Sequence, residues 1–135
     1  MRAVSIVLVA WLGLTSCYVG PRAQSFPPAQ RPEGVAARLV TRSHRPLSGE
    51  VLVVQDTALI IRRGDSLYFV PVAVIREGTF PNVSEAQIRR GAFVRLQDGR
   101  ERLQLVSRFP QGLSADKLQA LLEAYGQRAL VVVAP

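Results

Sequence analysis

The chain has 135 residues, which is enough for one domain of ordinary size. Hydrophobic residues make up 48% of it and charged residues 20%, a balance that excludes a chain disordered throughout and a protein with several membrane spans. Seventeen basic residues against ten acidic ones give a net charge of +7.

The basic residues are almost all arginines, since Lys117 is the single lysine. Two interpretations of this bias stay open. The arginines form an ordinary basic surface, or they give the protein an affinity for polyanions or anionic lipid headgroups.

The amino terminus has the layout of an export signal. Met1 and Arg2 form a short positive start, and residues 3–16 carry no charge and are rich in Val, Leu and Ile. A membrane-spanning helix needs about 20 apolar residues, so this run is too short for a permanent span. The pattern therefore predicts a signal peptide over residues 1–16.

The stretch Leu14-Thr15-Ser16-Cys17 ends the apolar run with the only cysteine of the chain. It resembles the lipobox of bacterial lipoproteins, with Leu three positions before the cysteine and two small residues between them. The resemblance implies that Cys17 carries diacylglycerol, that the Ser16–Cys17 bond is cut by the lipoprotein signal peptidase, and that the new amino group is commonly acylated. Two or three acyl chains make a stable anchor, whereas one chain holds a protein only marginally. An ordinary secretory signal and an uncleaved anchor are the alternatives.

The residue after the cysteine is Tyr18 and not Asp. In lipoproteins of the enteric type this implies the outer membrane, on its periplasmic side, where the host has two membranes. The expected partners are the membrane, through the lipid anchor, and an envelope protein. An exported protein does not meet cytoplasmic RNA, so no nucleic-acid partner is expected.

Residues 17–34 are interpreted as the lipidated cysteine and a disordered tether, because Pro, Gln, Arg, Ala and Gly dominate them and no apolar period is present. Proline-rich chain extends by about 3 Å per residue, which gives such a tether a reach on the order of 50 Å.

Short apolar runs separated by turn residues predict one mainly β domain over residues 35–135. Gly64-Asp65 is a two-residue hairpin turn with Gly first, as type II′ requires. Pro71 cannot donate a ladder hydrogen bond, which places it at an edge, a bulge or a corner. The first four predicted strands are residues 37–42, 49–55, 58–63 and 66–75.

The segment LSGEVLVVQDTALIIRRGDSLYFVPVAVI, residues 47–75, resembles the small SH3-like and Sm-like β-barrels. This resemblance implies a small, strongly bent antiparallel sheet or barrel, here followed by one C-terminal amphipathic helix. It implies no RNA-binding site, because no loop carries the Asn and Arg/Lys/Gly pattern with which Sm-like proteins hold a base.

The second half of the domain is predicted to contain four further elements. Ser84 and Gln87 have capping-box spacing, which predicts a helical turn over residues 85–89. Residues 91–97 and 100–107 are predicted to pair as a hairpin around Asp98-Gly99, with Val94, Leu96, Leu103 and Leu105 on its apolar face. Ser114 is predicted to cap a helix that packs through Leu118, Leu121, Leu122 and Tyr125 and ends at Gly126. Residues 129–133 are a predicted last strand.

The pattern of chemical groups does not favour an enzyme, a metal site or a cofactor. The sole histidine, His44, lies between arginines without a second metal ligand and is interpreted as a solvated loop residue. The sequence thus leaves two hypotheses for the anchored domain: a structural or protein-interaction module of the envelope, and a binder of an anionic ligand such as a phospholipid headgroup or an acidic glycan. The second needs a basic patch, whose candidate members are Arg62, Arg63, Arg89, Arg90, Arg95 and Arg102.

Overall fold

The computed structural model of the protein describes residues 34–95 and 97–135. Two α-helices are present among them, α1 (Gly99–Val106) and α2 (Ala115–Ala124), together with a short 3-10 helix (Val72–Val74). The eight strands are β1 (Ala36–Thr41), β2 (Pro46–Val54), β3 (Ala58–Arg63), β4 (Ser66–Pro71), β5 (Ile75–Thr79), β6 (Gln87–Arg89), β7 (Ala92–Phe93) and β8 (Val131–Val132). The predicted signal peptide, Ser16, Cys17, the tether before residue 34 and Leu96 lie outside the described residues.

The strands form one sheet in the order β7-β6-β5-β1-β2-β3-β4-β8. Every neighbouring pair is antiparallel except β4 and β8, which are parallel. The sheet curls strongly into a half-barrel. The predicted class, a mainly β fold built on a small and strongly bent sheet, is confirmed.

Three irregularities bend the sheet. The register shifts between Val40 and Thr41 in β1 and between Val51 and Val53 in β2, and bulges of this kind increase local twist. Pro71 ends β4, and the 3-10 helix follows it directly before β5 begins. Of the three positions expected for Pro71, an edge, a bulge or a corner, the structure shows a corner, and the strand predicted to run on to residue 75 stops there.

Both faces of the central strands β2 and β3 are buried, which explains their continuous apolar runs. One face contributes to the interior of the half-barrel, with residues such as Val51 and Ile61. The other face, with Leu52 and Ile60, packs against Phe109 and α2.

Helix α2 forms as the sequence predicts. The Ser114 hydroxyl accepts a hydrogen bond from the Lys117 backbone N–H at 3.2 Å. Gly126 has a φ of 69°, and the N–H groups of Gly126 and Gln127 bond to the carbonyls of Glu123 and Leu122, which is the Schellman pattern. The predicted stripe of Leu118, Leu121, Leu122 and Tyr125 faces the second apolar cluster.

The predicted hairpin around Asp98-Gly99 is wrong, because Gly99 begins the helix α1. Leu103 is fully buried, whereas Leu105, predicted to share its face, is 66% exposed. A Cβ on Gly99 would lie 2.1 Å from the carbonyl oxygen of Glu85, so the helix begins where only glycine lets two backbones approach this closely. The domain consequently has two helices where one was expected.

The helical turn predicted over residues 85–89 is also wrong, since residues 87–89 form β6. Ile88 lies opposite Gly78 and is 1% exposed, so strand pairing and burial outweigh the local capping signal. The predicted last strand is present as the short strand β8, which pairs with β4 at Tyr68 and Phe69.

Candidate functional site

Two of the six arginines predicted to form a basic patch are bound to carboxylates. Arg62 donates from Nε to Oε1 of Glu50 at 3.1 Å, and the Glu50 side chain is only 3% exposed. Arg102 donates to Oε1 of Glu85 at 3.1 Å. The pKa of Glu85 is lowered, first by the hydrogen bond from its own backbone N–H and then by Arg102. Both arginines are therefore already engaged by carboxylates within the fold, and Arg62 shares its carboxylate with Arg108.

Arg63 and Arg95 lie in two other parts of the surface. Arg63 ends β3 at the hairpin turn and is exposed. Arg95 lines a cavity of about 680 Å³ together with Arg100, Asp56 and Glu101. Arg100 forms ion pairs with both of these carboxylates, so this cavity is mixed in charge.

Arg89 and Arg90 lie at the end of β6, where the fold brings three more arginines from distant parts of the chain. We call this set of five the cationic end of the half-barrel. All five members are exposed: Arg42, Arg45, Arg76, Arg89 and Arg90.

Backbone hydrogen bonds to the 3-10 helix and to the start of β5 hold the cationic end together. The Arg42 N–H donates to the carbonyl of Val74 at 3.0 Å, which docks the β1–β2 turn on the 3-10 helix. The Arg90 N–H donates to the carbonyl of Arg76 at 2.8 Å, which docks the end of β6 beside β5. The arginines thus converge because main-chain bonds fix the turns that carry them.

His44 belongs to the same surface. Its Nδ1 lies 2.8 Å from Nη1 of Arg76. A guanidinium only donates hydrogen bonds, so Arg76 is the donor of this contact and the ring nitrogen accepts. The sequence interpretation of His44 as a solvated loop residue holds for its exposure, but the residue also positions Arg76.

Two residues of this surface have backbone conformations that residues other than glycine rarely adopt. His44 has a φ of 63° and Arg90 a φ of 52°. Such conformations cost free energy, about 1–3 kcal/mol each, and they persist where the surrounding structure enforces them. Histidine is among the residues enriched at positive φ, but arginine is not. The conformation of Arg90 is therefore the stronger sign that the surrounding structure enforces the backbone geometry of this surface.

Opposite charge is scarce at the cationic end. Among the described residues, none of its five arginines forms an ion pair within 4.0 Å. Glu77 lies opposite Arg89 in the β5–β6 register and lines a recess of about 440 Å³ with Arg76, Arg89 and Arg90. A single carboxylate at this recess leaves most of the positive charge open to solvent.

Sequence reasoning found only part of this surface. It selected Arg89 and Arg90 because they are adjacent, and it missed Arg42 and Arg45. The available signal was the stretch Thr41-Arg42-Ser43-His44-Arg45, which concentrates basic residues in one turn. The proximity of this turn to Arg76 and Arg90 depends on strand pairing and is not visible in the sequence.

Other features of the described residues define no second site of this kind. They include no group of three or more His, Cys, Asp or Glu side chains arranged to hold a metal ion. No helix within residues 34–95 and 97–135 has the length and apolar character needed to cross a membrane.

No protein-family model, curated protein or solved structure matches the chain.

Proposed function

We propose that the protein is a bacterial lipoprotein, acylated at Cys17 after cleavage of the Ser16–Cys17 bond, whose folded domain is a binding module of the cell envelope. The stretch Leu14-Thr15-Ser16-Cys17, after a charged start and an apolar run too short to span a bilayer, supports the anchor. The proposed location is the periplasmic face of the outer membrane in a host with two membranes.

The cationic end is the observation that carries the binding role. Guanidinium groups stay charged and have no acceptor, so five of them recognise an anionic partner but do not serve as general acids or bases near neutral pH. Their exposure and the absence of ion pairs among the described residues leave them available to such a partner. We therefore propose that the domain binds an anionic component of the envelope and does not catalyse a reaction.

Mass spectrometry of the mature amino terminus, on protein from the native host, tests the anchor. The expected first residue is an acylated Cys17, and Cys17→Ala should remove the protein from its membrane fraction. A chain that begins elsewhere, or a Cys17→Ala variant found unchanged in the same fraction, would overturn the lipoprotein assignment.

The binding role is tested by crosslinking in the intact envelope. Arg89→Ala combined with Arg90→Ala should abolish the crosslinked product, and moderate salt should weaken it, because exposed charges are screened. The control is Arg63→Ala combined with Arg128→Ala, which removes the same charge from two other exposed positions. Equal products from both double variants would count against the cationic end as the binding surface.

A second candidate function is docking of an envelope protein on a sheet edge. The strand β8 lies at one edge of the described sheet, and its residues Val131 and Val132 are 49% and 66% exposed. An extended segment of a partner can add a strand to such an edge. Capture that is insensitive to salt and is lost on Val131→Lys combined with Val132→Lys would favour this function over anion binding.

A further inference from the structure

We propose that the anionic partner of the cationic end is the phosphate-bearing headgroup layer of an anionic lipid bilayer. The inference rests on the proposed function in one respect, since the anchor at Cys17 places the domain beside a membrane. The choice of partner follows from the exposure, the chemistry and the composition of this surface, and the expected length of the tether is compatible with it.

The exposure of the cationic end favours an extended partner over a small molecule. The five residues from Arg42 to Pro46 are exposed in succession, and Arg76, Arg89 and Arg90 are exposed as well. Sites for small molecules bury most of the ligand surface in a largely apolar cleft. The recess beside Arg89 is instead lined mainly by charged and polar side chains, so a partner that meets many arginines at once fits this surface better.

The side-chain chemistry fits phosphate. Each guanidinium presents a planar fork of donors that matches two oxygens of one phosphate group. All five members of the cationic end are arginines, so the whole surface offers this geometry. A layer of headgroups offers many phosphates at the spacing of neighbouring lipids, so several arginines bind at once without a dedicated pocket for each.

The cationic end lacks the residues that anchor most protein partners. Protein interfaces have a desolvated centre with aromatic and other large apolar side chains, and these supply most of the binding free energy. The exposed large hydrophobic residues of the described chain are Leu105, Val131 and Val132, and none of them belongs to this surface. A headgroup layer requires no apolar anchor, which favours it over a protein.

The tether joins the domain at the other end of β1. Gly34 lies against the Glu50 side chain, beside the start of β1, whereas the cationic end begins after Thr41 at its far end. A six-residue strand is roughly 20 Å long at about 3.3 Å per residue. The tether reach expected from the sequence, on the order of 50 Å, exceeds this distance, so the domain can turn its cationic end toward the bilayer.

The test uses the complete protein, purified from its host and reconstituted into two kinds of vesicle, phosphatidylcholine alone and phosphatidylcholine with about 30% phosphatidylglycerol. Arginines are modified with phenylglyoxal, and the modification rate of each is measured by peptide mass spectrometry. On the anionic vesicles the members of the cationic end should react roughly five-fold more slowly than on neutral vesicles. The difference should disappear at about 1 M salt, where the screening length falls to about 3 Å.

Two double variants make this result specific. In Arg89→Ala with Arg90→Ala, the remaining arginines of the cationic end should lose their protection. In Arg63→Ala with Arg128→Ala, an equal loss of charge, they should keep it. Equal rates on the two kinds of vesicle, or equal protection in both double variants, would overturn the proposal.

Competing partners are tested on the protein in neutral vesicles, with duplex DNA or polygalacturonate added at the same concentration of negative charge as the anionic lipid. Weaker protection by both polymers than by the anionic lipid is the expected result. Stronger protection by either would overturn the assignment to headgroups in favour of a nucleic acid or an acidic glycan. The same peptide map reports whether Cys17 is acylated, so a failure of the proposed anchor is distinguished from a failure of headgroup binding.

Discussion

Arg108 donates a hydrogen bond from Nε to the buried Oε2 of Glu50 at 2.7 Å, although the two residues are 58 positions apart. Arg62 binds the other oxygen of the same carboxylate. The backbone continues this contact, because the Phe109 N–H donates to the carbonyl of Leu52 at 2.9 Å. The segment that leaves α1 is thereby attached to β2, through a carboxylate that also holds β3.

Replacement of the shared carboxylate should destabilise the domain strongly. Glu50→Ala deprives two largely enclosed guanidinium groups of a common partner, and removal of one member of a buried ion pair costs about 3–5 kcal/mol. Because the Arg62 and Arg108 side chains are 32% and 19% exposed, we expect about 3 kcal/mol, the lower end of this range. Chemical denaturation measures the change, and the exposed Glu77→Ala should stay within about 0.5 kcal/mol. A similar loss in both variants would contradict the structural role of Glu50.

Two leucines in α1 should differ sharply in their effect on stability. Leu103→Ala removes a fully buried side chain and should cost about 2–5 kcal/mol. Leu105→Gln alters a side chain that is 66% exposed and should change the free energy of unfolding by less than about 0.5 kcal/mol. Thermal or urea unfolding of the two variants measures both changes in the free energy of unfolding. Comparable losses would support the alternating hairpin, in which both leucines share one buried face, over the helix.

The lowered pKa of Glu85 predicts how acid affects the contact with Arg102. The lowered pKa means that the folded state favours the ionised carboxylate of Glu85. The contribution of this carboxylate to the stability of the fold is complete above the ordinary pKa of 4.5 and is lost as the pH falls through the lowered folded-state pKa. Arg102→Ala should therefore be less stable than wild type at pH 7, with a difference that shrinks in acid. Denaturation midpoints measured from pH 7 down to about pH 3 would show this trend. Arg38→Ala, at an exposed position, should show no comparable trend. A stability difference between wild type and Arg102→Ala that stays constant with pH would contradict the contact between Arg102 and the ionised Glu85.

The cap of α2 should contribute measurably to stability. Ser114→Ala removes the hydroxyl that accepts from the Lys117 N–H and should lower the free energy of unfolding by about 1 kcal/mol. Ser114→Asp restores an acceptor at a position that favours negative charge, so it should retain most of the wild-type stability. Equal losses in the two variants would show that another property of Ser114 matters.

The meander from β1 to β4 and the helix α2 were predictable because their signals are local. Gly64-Asp65 turns the chain between two strands adjacent in sequence, and Ser114 and Gly126 lie at the two ends of the helix they delimit. The prediction of a hairpin around Asp98-Gly99 was wrong for an equally definite reason. Residues 100–107 have apolar spacings compatible with both a strand and a helix, and burial of Leu103 but not Leu105 decides between them.

The sequence by itself determined the class of the domain and most of its first half, because hairpins and helix caps depend on residues a few positions apart. Only the tertiary structure decided which arginines share a surface. Arg62 and Arg102 are bound to carboxylates, while Arg42 and Arg45 join Arg76, Arg89 and Arg90. These associations depend on hydrogen bonds between residues 12 or more positions apart and on the curvature of the half-barrel, and no local pattern specifies which side chains such contacts bring together.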